Sequence, residues 1–542
     1  MATSISRRDF MHRVGAVGTV AGSVVASGTI GANARASDVP DPAHIRRRLR
    51  GWTVLPNGGD DHDNLEWALR NTAPGDAVML VPGVYKIGSP IVVADFDGTL
   101  AGAGVARTTI TCTDEFSYEL WQQAGGDEEN RPPDFPRVPV NGSLTKTPPT
   151  LIQFYKTPLR SGEDAADRAN RIVIRDLRCR GAMRGSPWMF GDEVLSINIV
   201  NSTDWKNPDS APATTRQDVT ILRIEVDGYS TPAFGPFANA CACITVLGGP
   251  ILTSDYNLNG DEDGDAVGFA NGGLLGVTPA QGNVTFQSCT FRNCRLGPGV
   301  IGYRDGTVRL LDNTIDGCRG NCLQMVDLSN VGILVRGNDL FCDAILLPPE
   351  LAAGAMDLPS SLGCVVALQG LGAAIGYPYN VQFLALASDP TAHKGRPEAG
   401  PVGTWRPQGP DAAPRRSEFL IVGNGCQSSP EQNTYCIHTV DAANLAFGAP
   451  ALSALVRNNT CAGSETCISL EHIEGGRVIS NECSSQAFGI ELYDSQRTLI
   501  ARNSFDFPAG VDGCEIRELA LGEKLDLSRV VSDDAGVCVQ QG

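Results

Sequence analysis

Cys467-Ile-Ser-Leu-Glu-His472 and Gly489-Ile-Glu-Leu-Tyr-Asp494 carry the same residue classes in the same order, 22 positions apart. Four more segments fall into these columns: Cys243-Ile-Thr-Val-Leu-Gly248, Val300-Ile-Gly-Tyr-Arg-Asp305, Cys322-Leu-Gln-Met-Val-Asp327 and Cys436-Ile-His-Thr-Val-Asp441. A seventh, Cys364-Val-Val-Ala-Leu-Gln369, fits with a weaker last position. Apolar residues alternate within each segment, as in a strand with one buried face. Short strands recurring at 22 residues (305 to 327, 472 to 494) predict a solenoid.

Two further columns refine the expectation. Asn313, Asn338, Asn424, Asn459, Asn481 and Asn503 recur two residues before a column filled by Ile315, Leu340, Cys426, Cys461, Cys483 and Phe505. Cys289 and Phe291 hold the two places on an earlier turn. Asn suits turns, because its side chain bonds to backbone and it tolerates left-handed conformations. A column open to Phe, Ile or Cys is a core column, where Cys serves as a small hydrophobe. Most of the 17 cysteines are therefore expected inside, and Cys514 and Cys538 are the better disulfide candidates.

An Asn ladder beside aliphatic stacks resembles the right-handed parallel β-helix of the pectate-lyase-like superfamily. The N-terminal region adds Gly58-Gly59-Asp60-Asp61, an amphipathic stretch with Leu65, Ala68 and Leu69, and Pro74-Gly75-Asp76 before Pro82-Gly83-Val84-Tyr85. This order also resembles the start of such proteins. The resemblance implies an all-β fold: a parallel β-helix with an N-terminal capping helix, acting on polysaccharides. The patterns N-T-D, G-H-G and R-I-K of polygalacturonases, R-x-P-x-x-R of pectate lyases and D-P-H of mannuronan epimerases are absent, so no specific activity transfers.

The expected organisation is a signal peptide at 1–36, cap and first turns at 37–112, an insertion at 113–150, the β-helix at 151–510 and a C-terminal cap at 511–542. Ser6-Arg7-Arg8-Asp9-Phe10-Met11 resembles a twin-arginine export motif. A Gly/Ala-rich stretch follows, with Ala34-Arg35-Ala36 or Ala32-Asn33-Ala34 as cleavage site. The stretch is short and Gly-rich for a membrane span. A secreted or periplasmic monomer without integral membrane association is expected. Loss of 1–36 removes four Arg and one Asp, taking the formal charge from −18 to −21. Such acidity disfavours nucleic acid and anionic membranes. Arg46-Arg47-Arg48-Leu49-Arg50 reads as the solvated face of a short N-terminal helix.

Long interruptions fall at 113–150, 200–217, 249–282, 370–417 and 442–453, the last four directly after an aligned strand. Loops leaving one turn repeatedly build a wall along one side, the usual binding side; drift at a tolerant turn is the alternative. The third and fifth positions of each strand point outward beside that wall. They and the turn row gather His438, Asp441, Glu471, His472, Glu491, Tyr493 and Asp494, with Arg304 and Asp327 on earlier turns. Glu471 and Glu491 lie one strand and two residues apart, roughly 8 Å between backbones. Carboxyl groups about 6.5–9.5 Å apart suit acid and base of an inverting glycosidase.

The catalytic candidates are Glu471 and Glu491, supported by His438, Tyr493 and Asp494. Asp441, His472, Asp327, Arg304 and Trp405 are candidate substrate contacts. A lyase using His438 or Tyr493 as base is the variant, and a solvated acidic strand face the bland alternative. Asp255, Asn257, Asn259, Asp261 and Asp263 space oxygen ligands as a Ca²⁺ loop does, with Gly260 at the sharp turn. Ala266 stands where an EF-hand has its bidentate Glu, so a loop-bracing Ca²⁺ or a solvated acidic turn both fit. The expected function is polysaccharide cleavage, hydrolytic or eliminative; the alternative is a non-catalytic glycan-binding or surface protein.

Overall fold

The computed structural model describes residues 43–89, 91–113, 150–156, 168–180, 195–200, 216–227, 243–247, 280–292, 297–301, 303–318, 322–326, 329–342, 366–369, 418–428, 435–440, 453–471, 473, 475–493, 495, 497–519, 531–532 and 537–539. They form two compact units, 43–301 and 303–539. Each is a right-handed parallel β-helix whose chain visits three sheets in turn.

In the N-terminal unit, Asp76–Leu80, Gly98–Ala101, Asn170–Arg175 and Gln217–Leu222 build the first sheet in parallel register. A helix, His62–Arg70, buries Leu65, Ala68 and Leu69 against strands Gly51–Val54 and Ile91–Ala94. The arginine run is not helical. Ile45–Arg48 pairs antiparallel with Gly51–Val54, and Arg46, Arg47 and Arg48 are exposed. The turn reaches Gly51 at φ 95°, a conformation that favours glycine and breaks a helix. Arg47 instead lies over the Trp52 ring, 5.6 Å from its centroid.

In the C-terminal unit the first sheet runs Tyr303–Leu311, Ser329–Arg336, Glu418–Val422, Ser453–Arg457, Arg477–Ile479, Leu499–Ala501 and Val531–Ser532. The third runs Leu323–Val326, Val366–Gln369, Tyr435–Val440, Thr466–Glu471, Phe488–Tyr493, Cys514–Leu519 and Val537–Val539. Parallel pairing thus continues past residue 510. The rows Ile437, Ile468, Ile490, Ile516 and Thr439, Leu470, Leu492 point inward and are buried.

Between the first sheet and the second (in the C-terminal unit Thr314–Cys318, Asp339–Cys342, Gly425–Ser428, Thr460–Ala462, Glu482–Ser484 and Ser504–Asp506) the chain turns through one left-handed residue. In the C-terminal unit these are Asp312, Gly337, Gly423, Asn458, Ser480 and Arg502, all at φ 52–65°. The ladder asparagine is the next residue, so its side chain, not its backbone, does the work. Asn459 Oδ1 accepts from Asn424 N at 3.0 Å and Asn424 Nδ2 at 2.9 Å. Its Nδ2 donates to Ile421 O and to Asn481 Oδ1, both at 3.0 Å. The unbroken ladder runs from Asn313 to Asn503. In the N-terminal unit the same corner follows Asp95, Asp176, Arg223 and Ser288 at φ 48–58°, but Phe96, Leu177, Ile224 and Cys289 fill it. Here Phe96, Leu177 and Ile224 replace hydrogen bonding by apolar packing, and only the Cys289 thiol, among the four, donates to backbone, at Ile221 O and Gln287 O.

Cys322, Cys436 and Cys467 are buried in one column and Cys426, Cys461 and Cys483 in another, as expected. A Cys514–Cys538 bridge is not formed. Cys538 pairs with Arg517, so the two cysteines lie one strand and three residues apart, about 11 Å between backbones. A disulfide spans about 7 Å at most. The Cys514 thiol donates instead to Ile516 O at 3.2 Å.

Two aligned segments shift register. Leu323 pairs with Val366 and not Val365, moving the seventh segment by one. In Val300–Asp305 the third-sheet strand ends at Ile301, and Tyr303 already starts a first-sheet strand. That turn repeats at 25 residues, Val308 opposite Ile333, rather than 22.

Lys156, at the end of strand Thr150–Tyr155, is 2 % exposed, and its Nζ donates to Arg216 O at 3.3 Å. Burial pushes its pKa from 10.5 down to about 8. The unfolded state therefore binds more protons between about pH 8 and 10.5, and stability rises with pH across that window. Lys156→Met is expected to flatten this rise, and to be the more stable chain at pH 7 by about 3 kcal/mol. Urea midpoints measured from pH 7 to 10 check both.

Candidate functional site

Consecutive turns of the third sheet set His438 opposite Ser469, Ser469 opposite Glu491 and Glu491 opposite Arg517. Strand alternation directs this row away from the core, since both flanking rows point in. Outward positions on an isolated strand face would be wet. Yet His438 and Glu491 are 6 % exposed and Ser469 1 %. Buried polar groups need partners, and the row supplies them.

Glu491 is held from two sides. Arg517 Nη1 lies 3.3 Å from its Oε2, and Tyr435 Oη donates to its Oε1 at 3.3 Å. Both contacts are longer than the roughly 2.7–2.9 Å of an optimal charge-assisted bond, so the carboxylate is oriented without being locked. The Arg517 guanidinium lies over Phe488, 4.2 Å from its centroid. Its Nε is buried and has no acceptor among the described residues. Tyr435 stacks on His438 with ring centroids 4.6 Å apart and planes at 22°. An acid, a cation, a phenol, an imidazole and a hydroxyl thus share one patch two to three turns long. The fold that presents this patch is a right-handed parallel β-helix.

No protein-family model matches the chain, and no curated protein sequence matches it. Solved structures are similar in fold. The mannuronan C-5 epimerase AlgE6 A-module of Azotobacter vinelandii is 13 % identical with a TM-score of 0.40, over 89 % of this chain and 94 % of that one. The polygalacturonase of Erwinia carotovora ssp. carotovora is 10 % identical with a TM-score of 0.39, over 90 % and 96 %. PfbA, a surface adhesin of Streptococcus pneumoniae, is 11 % identical with a TM-score of 0.39, over 85 % and 91 %.

The expected site residues fare unequally in this β-helix. Glu471 ends strand Thr466–Glu471 opposite Tyr493, so it lies one strand and two residues from Glu491, roughly 8 Å by backbone. Arg304 does not join them. It sits in the first sheet opposite Ser329, because the hexad read as one strand spans two. His472, Asp494, Asp441, Asp327 and Trp405 lie outside the described residues, as do Asp255, Asn257, Asn259, Asp261 and Asp263 of the acidic loop. Tyr435 and Arg517 were not anticipated. Tyr435 immediately precedes an aligned hexad, and Ile516-Arg517 repeats Ile490-Glu491 in a segment set aside as a cap. Among the described residues, no helix is long and apolar enough to cross a membrane.

Proposed function

We propose that the chain cleaves a polysaccharide on the outward face of the third sheet of its C-terminal unit. The observation that carries this is Glu491, an outward carboxylate buried and held by Arg517 and Tyr435. A solvated structural face would leave such a group dispersed in water. The Arg517 partner matches the ionised carboxylate that a general base requires. Glu491 is therefore assigned as base and Glu471 as acid, with His438, Tyr493 and Asp494 in support. Asp441, His472, Asp327 and Trp405 contact the glycan. The eliminative variant takes His438 or Tyr493 as base.

Export to the cell exterior or periplasm by the twin-arginine route belongs to the same proposal, as does a Ca²⁺ ion bracing the loop around Asp255–Asp265. Oxygen ligands at alternate positions and a glycine at the turn support that ion.

The experiment is a polysaccharide screen of the mature protein, with and without Ca²⁺, following new reducing ends and the absorbance of unsaturated products. Reducing ends alone identify a hydrolase, and both signals a lyase. Binding without either signal would replace the enzyme by a glycan-binding protein.

A further inference from the structure

The first sheet of the C-terminal unit presents a second outward face, remote in sheet and chemistry from the Glu491 row. Its register sets Arg309, Leu334, Leu420, Leu455 and Arg477 in one row along the helix axis. The neighbouring row is Leu311, Arg336, Val422, Arg457 and Ile479. Val308, Ile333, Val335, Phe419, Ile421, Val456 and Val478 between them are buried, so both rows face outward. All four arginines are exposed, and Leu334, Leu420, Val422, Leu455 and Ile479 are half-buried.

Arg309 and Arg336 form one diagonal pair and Arg457 and Arg477 another, each about 8 Å between backbones. Leu420 and Val422 make an apolar saddle between them, and the whole array spans four strand spacings, about 19 Å. None of the four arginines makes an ion pair among the described residues. The acidic residues of these five strands, Asp305 and Glu418, stand toward the strands' N-terminal ends.

Several arginines of the N-terminal unit are paired instead. There Arg168 pairs with Asp95 at 2.6 Å, Arg175 and Arg223 with Asp176 at 2.7 and 2.6 Å, and Arg216 with Asp218 at 3.3 Å. In a chain of net charge −18, with 61 acidic residues, four arginines on one flat face that make no ion pair among the described residues call for an anionic partner.

We infer that this face binds a linear anionic polysaccharide lying along the helix axis. Guanidinium groups take carboxylates and sulfates in bidentate fashion, and aliphatic side chains in the saddle cover the C–H faces of sugar rings. A regularly charged polymer engages both arginine pairs at once, which a small anion cannot. A membrane surface fits less well, because insertion needs protruding apolar side chains. Among the described residues the exposed large hydrophobics, Leu49, Val84 and Val511, lie elsewhere. This inference goes beyond the cleavage proposal and does not rest on it.

The test is equilibrium binding of the full mature chain to polygalacturonate, dextran sulfate, uncharged dextran of matched length and anionic phospholipid vesicles, at low and moderate salt. Binding to one or both anionic polymers, weakened by salt and absent with dextran, is expected; the polymer preferred distinguishes carboxylate from sulfate. The variant R309Q/R336Q/R457Q/R477Q is expected to bind about tenfold more weakly or worse, while Arg216→Gln binds as the parent does. Should the fourfold variant fail to fold, R309Q/R336Q and R457Q/R477Q each report a partial loss. Equal binding to dextran, undiminished binding by a folded fourfold variant, binding to vesicles alone, or salt-sensitive self-association in place of polymer binding each overturns the inference. Polymer binding and turnover are read separately. Retained binding without turnover therefore leaves this face standing while removing the enzyme proposal.

Discussion

Glu491→Gln is expected to lower turnover of the responsive polysaccharide by about 10²–10⁴-fold, the usual contribution of a positioned general acid or base. The substitution keeps the shape and the contact with Tyr435 Oη, and removes only the charge and the proton-accepting oxygen. Binding should change far less than kcat, because the carboxylate acts mainly in the transition state. Arg517 loses its partner, so part of the effect could come from structure; about 23 % of its side chain reaches solvent, which tempers that cost. Urea midpoints measured alongside the kinetics separate the two. A folded Glu491→Gln chain that turns over within a few-fold of the parent would falsify the site. Tyr435→Phe should be milder, since it removes one long hydrogen bond and leaves the ion pair with Arg517 intact.

The second large effect concerns stability. Asn459→Ala removes four buried hydrogen bonds at once, those from the Asn424 N–H and Nδ2 and those to Ile421 O and Asn481 Oδ1, although Asn481 Oδ1 keeps the Asn459 N–H and Asn424 Nδ2 keeps Val335 O. At about 1 kcal/mol for each lost hydrogen bond, the loss should reach about 4 kcal/mol, against a typical total of about 5–15 kcal/mol. Asn503→Ala, at the end of the ladder and half-buried, should cost less than half as much, because water can reach Asn481. Asn459→Asp should not rescue. It keeps an acceptor toward Asn424 but sets a carboxylate against Ile421 O and Asn481 Oδ1. Denaturant midpoints of the three variants check the order, and equal losses at 459 and 503 would mean that the ladder does not act through buried hydrogen bonds.

Much of the β-helix was legible because its constraints repeat. Alternation in Cys436–Val440, Thr466–Glu471 and Phe488–Tyr493 marks the inward rows, and the Asn column marks a turn of fixed chemistry. Repetition also limited the reading. Val300–Asp305 matches the hexad pattern, but its alternation continues across the change of sheet between Ile301 and Tyr303, which residue classes alone do not reveal. Arg304 was misplaced for that reason. The arginine hairpin near Trp52 was misread because an exposed edge strand has no apolar period to announce it. His438 and Glu491 could be named from the outward row, whereas Arg517 could not. Its partnership with Glu491 depends on one more turn of parallel pairing beyond the last clear repeat.

The buried cysteines carry a consequence for when this chain can mature. Burial pushes the Cys179 thiol up to about 12 and Cys289 up to about 11, and the hydrogen-bonded neighbours Cys426 and Cys436 raise Cys461 as well. Such groups hold almost no thiolate at neutral pH, and thiolate is the form that oxidants and exchange partners attack. Once packed, these sulfurs are chemically quiet in either redox environment. Packing of these described cysteines therefore calls for no oxidase or disulfide isomerase, and they would pass unchanged from a reducing compartment to an oxidising one.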